Sequence, residues 1–248
     1  MKVISFNIRY TDDPNGNSIK ERSKRLKKIL DKYDADIVGF QEAVPEWMEY
    51  LKENFGEKYN IYNKYRASYS LESTPVMWKK DSFECIQKEY FWLSDTPKVE
   101  SCGYDSYGLP RIGLFIHLKR KSDGAEFGYI NTHFGFGDKG QVKSCVLIDK
   151  MIKEKGIKKA IITADFNMEM DSAAYKKITE NYLDVNMATI RDLGTTFHDY
   201  NPAAHDDHID YCFITPNTIK PIDFKIITDT VNGKFPSDHF GILSELDF

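Results

Sequence analysis

Hydrophobic positions along this 248-residue chain change period several times, and each change predicts an element. Met1 to Ile8 alternates and is rich in β-formers, which predicts a strand, and a polar turn follows at Asp12 to Ser18. Between residues 19 and 33, Leu26, Ile29, Leu30 and Tyr33 recur at helical spacing. Asp36-Ile-Val-Gly-Phe40 is short and almost continuously apolar, the pattern of a strand buried on both faces. A second helix is predicted over Pro45 to Asn54, then strands at Pro75 to Trp78, Phe83 to Phe91, Ile112 to Lys119 and Phe127 to Asn131. A helix from about Lys139 to Lys155 leads into a strand at Ala160 to Thr163, and further strands are predicted at Ile209 to Ile214, Ile222 to Ile227 and Ile242 to Leu246. Strands dominate, helices alternate with them, and no Pro/Gly/Ser linker divides the chain. The expectation is one layered α/β domain over residues 1–248.

Composition narrows the picture. Apolar residues at 41% and aromatics at 14% are enough for a packed core and exclude an intrinsically disordered chain. The net charge of −4 excludes the global basic field of a non-specific nucleic-acid binder. Basic residues do cluster at Lys20 to Lys28 and Lys153 to Lys159, and both runs read as solvated helix faces. No apolar stretch is long enough for a signal peptide or a membrane span, so a cytoplasmic location is expected. Cys85, Cys102, Cys145 and Cys212 lack C-x-x-C spacing and lie in or beside apolar segments, which predicts buried reduced thiols rather than a zinc site or disulfides.

The candidate chemistry sits where apolar strands end. Asn7 closes the first strand, and Glu42 follows the second by two residues. His133 ends Tyr129-Ile-Asn-Thr, and Asp165 and Asn167 follow Ile161-Ile-Thr-Ala. Asp210 opens a strand, and Asp238-His239 precedes another. Strand ends are where a sheet fixes positions while loops leave access for a ligand. These residue types suit metal-assisted phosphoester hydrolysis. Mg²⁺ takes hard oxygen ligands, usually one or two carboxylates, and Glu42 and Asp238 are the candidates. Asn7, Asn167 and His133 are candidate donors to phosphoryl oxygens. His239 is a candidate base for water, with Asp210 holding its imidazole in the right tautomer.

Six segments carry a resemblance: Ser5-Phe-Asn-Ile-Arg9, Gly39-Phe-Gln-Glu42, Asn131-Thr-His133, Ala164-Asp-Phe-Asn167, His208-Ile-Asp-Tyr211 and Ser237-Asp-His239. In this order the chain resembles the endonuclease/exonuclease/phosphatase superfamily over residues 5–239. Trp78, Phe91-Trp-Leu-Ser-Asp-Thr-Pro97 and Leu109-Pro-Arg-Ile112 resemble one bacterial branch, related to deadenylase-like enzymes. The resemblance implies a four-layer α/β sandwich with two packed, mostly antiparallel sheets and helices outside. It implies Mg²⁺ (or Mn²⁺) as cofactor, with Glu42 and Asn7 at the metal and Asp238 close to it. It gives Asp165 and Asn167 the water and the phosphate, His133 a phosphate contact, and Asp210 the task of orienting His239. Whether Asp165 or His239 takes the proton of water stays open. Arg111, Arg66 and Glu72 resemble substrate-pocket positions, Arg111 either gripping a phosphate oxygen or forming a structural salt bridge.

Two departures stand out. DNA-repair members carry Asp where this chain has Arg9, which counts against a second metal. Phe134-Gly135-Phe136 stands where related bacterial members have Phe-Asp-His, so an acidic or His contact near the substrate is missing. Among other motifs, Asp13-x-Asn15-x-Asn17 lacks the acidic twelfth residue of a calcium loop and reads as a turn. His205-Asp-Asp-His208 reads as site rim. The expected function is a phosphoesterase acting on a phosphodiester, with a sugar or inositol phosphomonoester as the alternative and a non-catalytic binding module as the second. The substrate is expected to be a small molecule or short nucleic acid, and no obligate protein partner is inferred. Specificity is expected in the loops at Tyr65 to Ser73, Ser101 to Leu109 and Phe134 to Gly140, whose Tyr69, Tyr104, Tyr107, Phe134 and Phe136 either stack on substrate or pack.

Overall fold

Nearly continuous apolar runs in the central strands give each of them two buried faces, and a layered pair of sheets follows from it. The computed structural model describes residues 1–248. In chain order it contains β1 (Lys2–Asn7), α1 (Ile19–Tyr33), β2 (Ile37–Gln41), α2 (Pro45–Phe55), β3 (Tyr59–Tyr62), β4 (Tyr65–Ala67), β5 (Ser70–Ser73) and β6 (Val76–Lys79). Next come β7 (Phe83–Trp92), β8 (Ile112–Arg120), β9 (Glu126–His133), α3 (Asp138–Glu154), β10 (Ala160–Asp165) and α4 (Ala173–Thr179). The chain ends with β11 (Leu183–Asp184), α5 (Val185–Ala188), β12 (Asp210–Ile214), β13 (Lys220–Ile227) and β14 (Gly241–Asp247).

One six-stranded sheet has the order β13-β14-β1-β2-β6-β3 and the other β11-β12-β10-β9-β8-β7. Only β1–β2 and β9–β10 pair in parallel; every other neighbour in these two sheets is antiparallel. Inward residues of both sheets, among them Val3, Ile37 and Trp78 from the first and Leu114, Ile116 and Ile161 from the second, share one core. The opposite face of the first sheet (Ile4, Phe6, Val38, Phe40) packs on Leu26, Ile29 and Leu30 of α1 and Trp47 and Leu51 of α2. The opposite face of the second (Ile130, Ile162, Ala164, Phe213) packs on Ile148 and Ile152 of α3 and Ile178 of α4. This is the four-layer sandwich, built because a sheet buried on both faces needs a partner layer on each.

The predicted elements form within a residue or two of their expected ends. The additions are β3, the β4–β5 hairpin, α4, β11 and α5. The basic run at Lys20 to Lys28 needs correction. Arg22 and Arg25 are buried, and their guanidinium groups satisfy carbonyls of Ile8, Arg9, Gly16 and Asn17 rather than facing water. All four cysteines are free; Cys145 and Cys212 are buried as expected, but Cys85 is half-buried and Cys102 is exposed. No helix is long and apolar enough to cross a membrane.

Candidate active site

Inward positions change from apolar to polar as β1, β2, β9 and β10 run out, and β12, antiparallel to β10, begins on Asp210 at the same edge. Val3 is followed inward by Ser5 and Asn7, Tyr129 by Asn131 and His133, and Ile161 by Thr163 and Asp165. The first polar layer is a buried hydrogen-bond network. The Gln41 amide donates to Asn131 Oδ1 at 2.8 Å and Ser5 Oγ at 3.1 Å, Thr163 donates to the same Oδ1 at 3.1 Å, and Tyr129 and Thr163 hydroxyls meet at 2.5 Å. Gly39 makes room for it, because a Cβ there would lie 2.4 Å from Tyr129 Oη and 2.5 Å from Asn131 Oδ1. This buried network, in which only Gln41 Oε1 is left without a partner, fixes the two sheets in register against each other.

The second layer is the candidate site. Sheet register sets Asp165 beside His133 on one side and Asp210 on the other. Asp165 Oδ2 accepts from Asn7 Nδ2 at 2.9 Å and lies 3.4 Å from His133 Nε2 and 3.8 Å from His239 Nε2. Its Oδ1 accepts the Asn167 N–H at 2.9 Å. The Asn167 side-chain amide sits 3.1 Å from His133 Nε2 and donates to the Phe134 carbonyl at 3.0 Å. His239 Nδ1 is 2.9 Å from Asp210 Oδ2. Glu42, in the left-handed region at φ 62°, accepts from Tyr10 N–H at 2.9 Å and Asn7 Nδ2 at 3.2 Å. Holding a glutamate at positive φ costs of order 1–3 kcal/mol, a strain typical of positions kept for function.

Electrostatics separates the two histidines. Burial, with Arg111 acting in the same sense, lowers His133 to about 4, so it is neutral at pH 7. Burial also disfavours charge on His239, but the Asp210, Asp165 and Asp238 carboxylates outweigh it and raise the imidazole to about 10. Burial pushes the Glu42 carboxyl up, with Glu72 and Asp238 adding to the repulsion.

The structure gathers Asn7, Glu42, His133, Asp165, Asn167, Asp210, Asp238 and His239 in one place, and several details differ from expectation. Asn7 turns its amide nitrogen to both Glu42 and Asp165 and its oxygen to the Arg9 N–H, so it links the two carboxylates as a donor. Asp238 lies 3.4 Å from Arg9 Nε and accepts from Ser237, so a cation already faces it. Arg111 forms the salt bridge, its Nε donating to Asp105 at 3.0 Å. Arg66 is likewise paired, with Glu72 at 2.8 Å. Of the loop aromatics, Phe134 is core and only Phe136 lines the cavity. His208 is buried with Nδ1 at the Gly194 carbonyl (2.7 Å), so within that motif Asp207 reaches the cavity and His208 does not. Sequence reasoning missed Thr196, whose hydroxyl accepts the Ile209 and Asp210 N–H groups, and Phe197, whose ring lies 5.0 Å from His239. Neither position carries a local signal.

The site opens into a cavity of about 810 Å³ lined in addition by Tyr10, Leu71, Leu109 and Glu169. Asp165, Asp210 and His239 offer ligand atoms within 4.8 Å of one another, although His239 Nδ1 and Asp210 already bond each other. The acidic set of Glu42, Asp165, Asp210 and Asp238, the last three of them buried, exceeds the positive charge of Arg9 and His239, and Asp210 Oδ1 has no partner. That excess of hard oxygen donors fits a divalent cation.

Comparison with known proteins agrees with this geometry. The chain is 28% identical to a mannosyl-6-phosphatase of Bacteroides thetaiotaomicron, covering 100% of both chains with a TM-score of 0.91. It is 30% identical to an endonuclease/exonuclease/phosphatase from Bacteroides vulgatus, covering 99% of this chain and 98% of that one, also at a TM-score of 0.91. It is 22% identical to the 3'-5'-exoribonuclease subunit Ccr4 of the Saccharomyces cerevisiae CCR4-Not complex, covering 92% of this chain and 35% of that protein, so it spans about a third of that relative. Residues 4–239 match the model of the endonuclease/exonuclease/phosphatase family, a family of hydrolases acting on phosphoesters, and the chain belongs to it.

Proposed function

We propose that this protein is a divalent-metal-dependent phosphoesterase whose substrate is a small phosphorylated polyol, a sugar phosphate in particular, cleaved to the alcohol and inorganic phosphate. The observation that carries the substrate class is the charge of the cavity wall. Glu42, Glu72, Asp165, Glu169, Asp207 and Asp238 line it against Arg9, Arg66 and Arg111, with no lysine, and each arginine already faces a carboxylate. A nucleic-acid backbone needs a row of unpaired cations along its path, and this wall offers no such row, only the outer edge of Arg111. A single phosphate at the strand ends with hydroxyl groups against carboxylates suits the same wall. The mannosyl-6-phosphatase likeness over the full chain supports this choice.

Glu42 would hold the metal, Mg²⁺ or Mn²⁺, beside the Asp165 carboxylate to which Asn7 ties it. The cation would supply Lewis-acid stabilisation of phosphoryl oxygens and a more acidic water. Asp165 is the proposed proton acceptor, because His239 already carries a proton at neutral pH. Asn7 and the Asn167 N–H fix both Asp165 oxygens towards the attacking water. As an imidazolium held by Asp210, His239 offers positive charge to the phosphoryl group as the ester P–O bond breaks in line. Neutral His133 and the Asn167 amide are the remaining oxygen contacts.

Hydrolysis of p-nitrophenyl phosphate against bis-p-nitrophenyl phosphate with Mg²⁺ and with Mn²⁺, alongside His239→Ala, tests this. The reading expects metal-dependent monoester cleavage, then selectivity within a panel of hexose phosphates. Preferential diester cleavage would overturn the substrate class. Unchanged turnover in His239→Ala would overturn the mechanism.

A further inference from the structure

Gly135 leaves room for a neighbouring loop. A Cβ on Gly135 would lie 2.5 Å from Asp105 Oδ2, 2.6 Å from its Cβ and 2.7 Å from its Cα. A Cβ on Gly140 would overlap the Tyr104 carbonyl oxygen at 1.8 Å, and one on Gly137, where φ is +99°, would meet Ser106 Cβ at 3.2 Å. Gly135-Phe-Gly-Asp-Lys-Gly140 is therefore a bare track, and residues 104–106 lie on it. Ser106 N–H donates to the Phe136 carbonyl at 2.9 Å, and the Tyr107 and Phe136 rings meet edge to face at 5.4 Å. Gln141 ties the track to the candidate site, its amide donating to the Gly135 carbonyl at 3.0 Å and the Asn167 carbonyl at 2.7 Å.

What the track admits is one carboxylate. The Asp105 side chain is fully buried, accepts the Tyr107 N–H at 2.7 Å through Oδ1 and holds Arg111 Nε at 3.0 Å through Oδ2. Arg111 is 5% exposed and lines the cavity, with Glu72 3.9 Å from Nη1, yet neither terminal nitrogen is hydrogen-bonded within the protein. A buried guanidinium anchored by one edge with donors to spare is prepared for an oxygen ligand. The geometry points to Asp105 as a positioning residue that acts on substrate through Arg111, with the glycine track as the device that brings it there. This rests on the reading of the cavity as a phosphate-ester site and adds to it.

A double-mutant cycle on kcat/KM for p-nitrophenyl phosphate, with the inhibition constant of inorganic phosphate measured alongside, tests the proposal. Arg111→Ala and Asp105→Ala should each lower kcat/KM by about tenfold or more, through KM rather than kcat, and the double variant should be no worse than Arg111→Ala. Gly135→Ala should reproduce Asp105→Ala by displacing the loop. Should Asp105→Ala fail to fold, Asp105→Asn keeps the shape and is read in its place. The Arg111 Nε–H resonance, identified by its loss in Arg111→Lys, gives a readout independent of turnover. It should exchange slowly with solvent in the wild type and quickly in Asp105→Asn and Gly135→Ala. Additive losses in the cycle, or an unaltered Arg111 signal in both variants, would overturn the role of Asp105. A wild-type protein inactive on every phosphate ester would count against the phosphoesterase reading, and the Arg111 signal would still decide whether Asp105 holds it.

Discussion

Asn7 Nδ2 donates to Asp165 Oδ2 at 2.9 Å across 158 residues of sequence, joining the end of β1 in one sheet to the end of β10 in the other. The same nitrogen lies 3.2 Å from Glu42. One amide thus spaces two carboxylates that would otherwise repel, and it does so only when the sheets are packed. Replacing it exposes both functions. Asn7→Ala should lower kcat by a factor of order 10² while the fold survives, because Asp165 loses its orientation. Asn7→Asp should do worse in thermal midpoint as well, since it adds a third buried carboxylate. Steady-state kinetics and calorimetry on the two variants make the comparison.

The Asp210–His239 pair predicts a titration. In the metal-free protein the His239 imidazole should remain protonated through pH 7 and titrate near 10, whereas His133 should stay neutral down to about 4. Asp210→Asn should bring the His239 transition down towards 6.5 and cost about 10²-fold or more in turnover. NMR titration of the imidazole resonances checks both values. A His239 that titrates at 6.5 in the wild type would contradict the electrostatics.

Those shifts also set a stability window. His133 and His198 are both lowered to about 4 by burial, so between pH 6.5 and 4 the unfolded chain takes up protons that the folded one refuses, and stability falls as pH falls. His239 works in the opposite sense. Its raised value gives stability that is complete below 6.5 and is lost as pH rises through about 10. Unfolding of metal-free protein in urea across this range should place the histidine-linked maximum near pH 6.5.

Metal binding should appear as stabilisation. At a hundredfold excess over Kd, Mg²⁺ or Mn²⁺ should add about 2.7 kcal/mol to the wild type. Glu42→Gln should lose most of that gain at the same metal concentration. Chelation should abolish turnover, and re-addition should restore it. A thermal midpoint unmoved by either ion would remove Glu42 from the proposed metal site.

Gly39→Ala tests the polar layer beneath the site. Its methyl would collide with Tyr129 Oη and Asn131 Oδ1, both fully buried. The variant should lose about 2–3 kcal/mol of stability, a cost typical of overpacking an interior. Equilibrium unfolding measures it directly.

Much of this molecule is legible in its sequence. Helix α1 announces itself through Leu26, Ile29, Leu30 and Tyr33, and β10 through Ile161 and Ile162, because periodicity is a local consequence of backbone geometry. The polar residues at strand ends were legible for the same reason, since an apolar strand that stops on Asp165 or His133 leaves a buried edge to be used. Legibility failed where partners are distant. Arg22 and Arg25 read as solvated, but carbonyls of the segment before the helix draw them inward. Asp105 carried no signal in its loop, and Gly135 read as a loss until the two were seen to share one volume.

Local pattern along the chain thus sets the elements, their amphipathic faces and the residue types at the strand ends. Tertiary structure alone decided which of those groups meet and in what state. It turned the Asn7 nitrogen towards two carboxylates, set Arg9 against Asp238, and favoured a neutral His133 and a protonated His239 although both are buried. The physical reason is range. Periodicity and capping act over a few residues, whereas desolvation and charge pairing depend on every element packed around a group, and no stretch of chain carries that information alone.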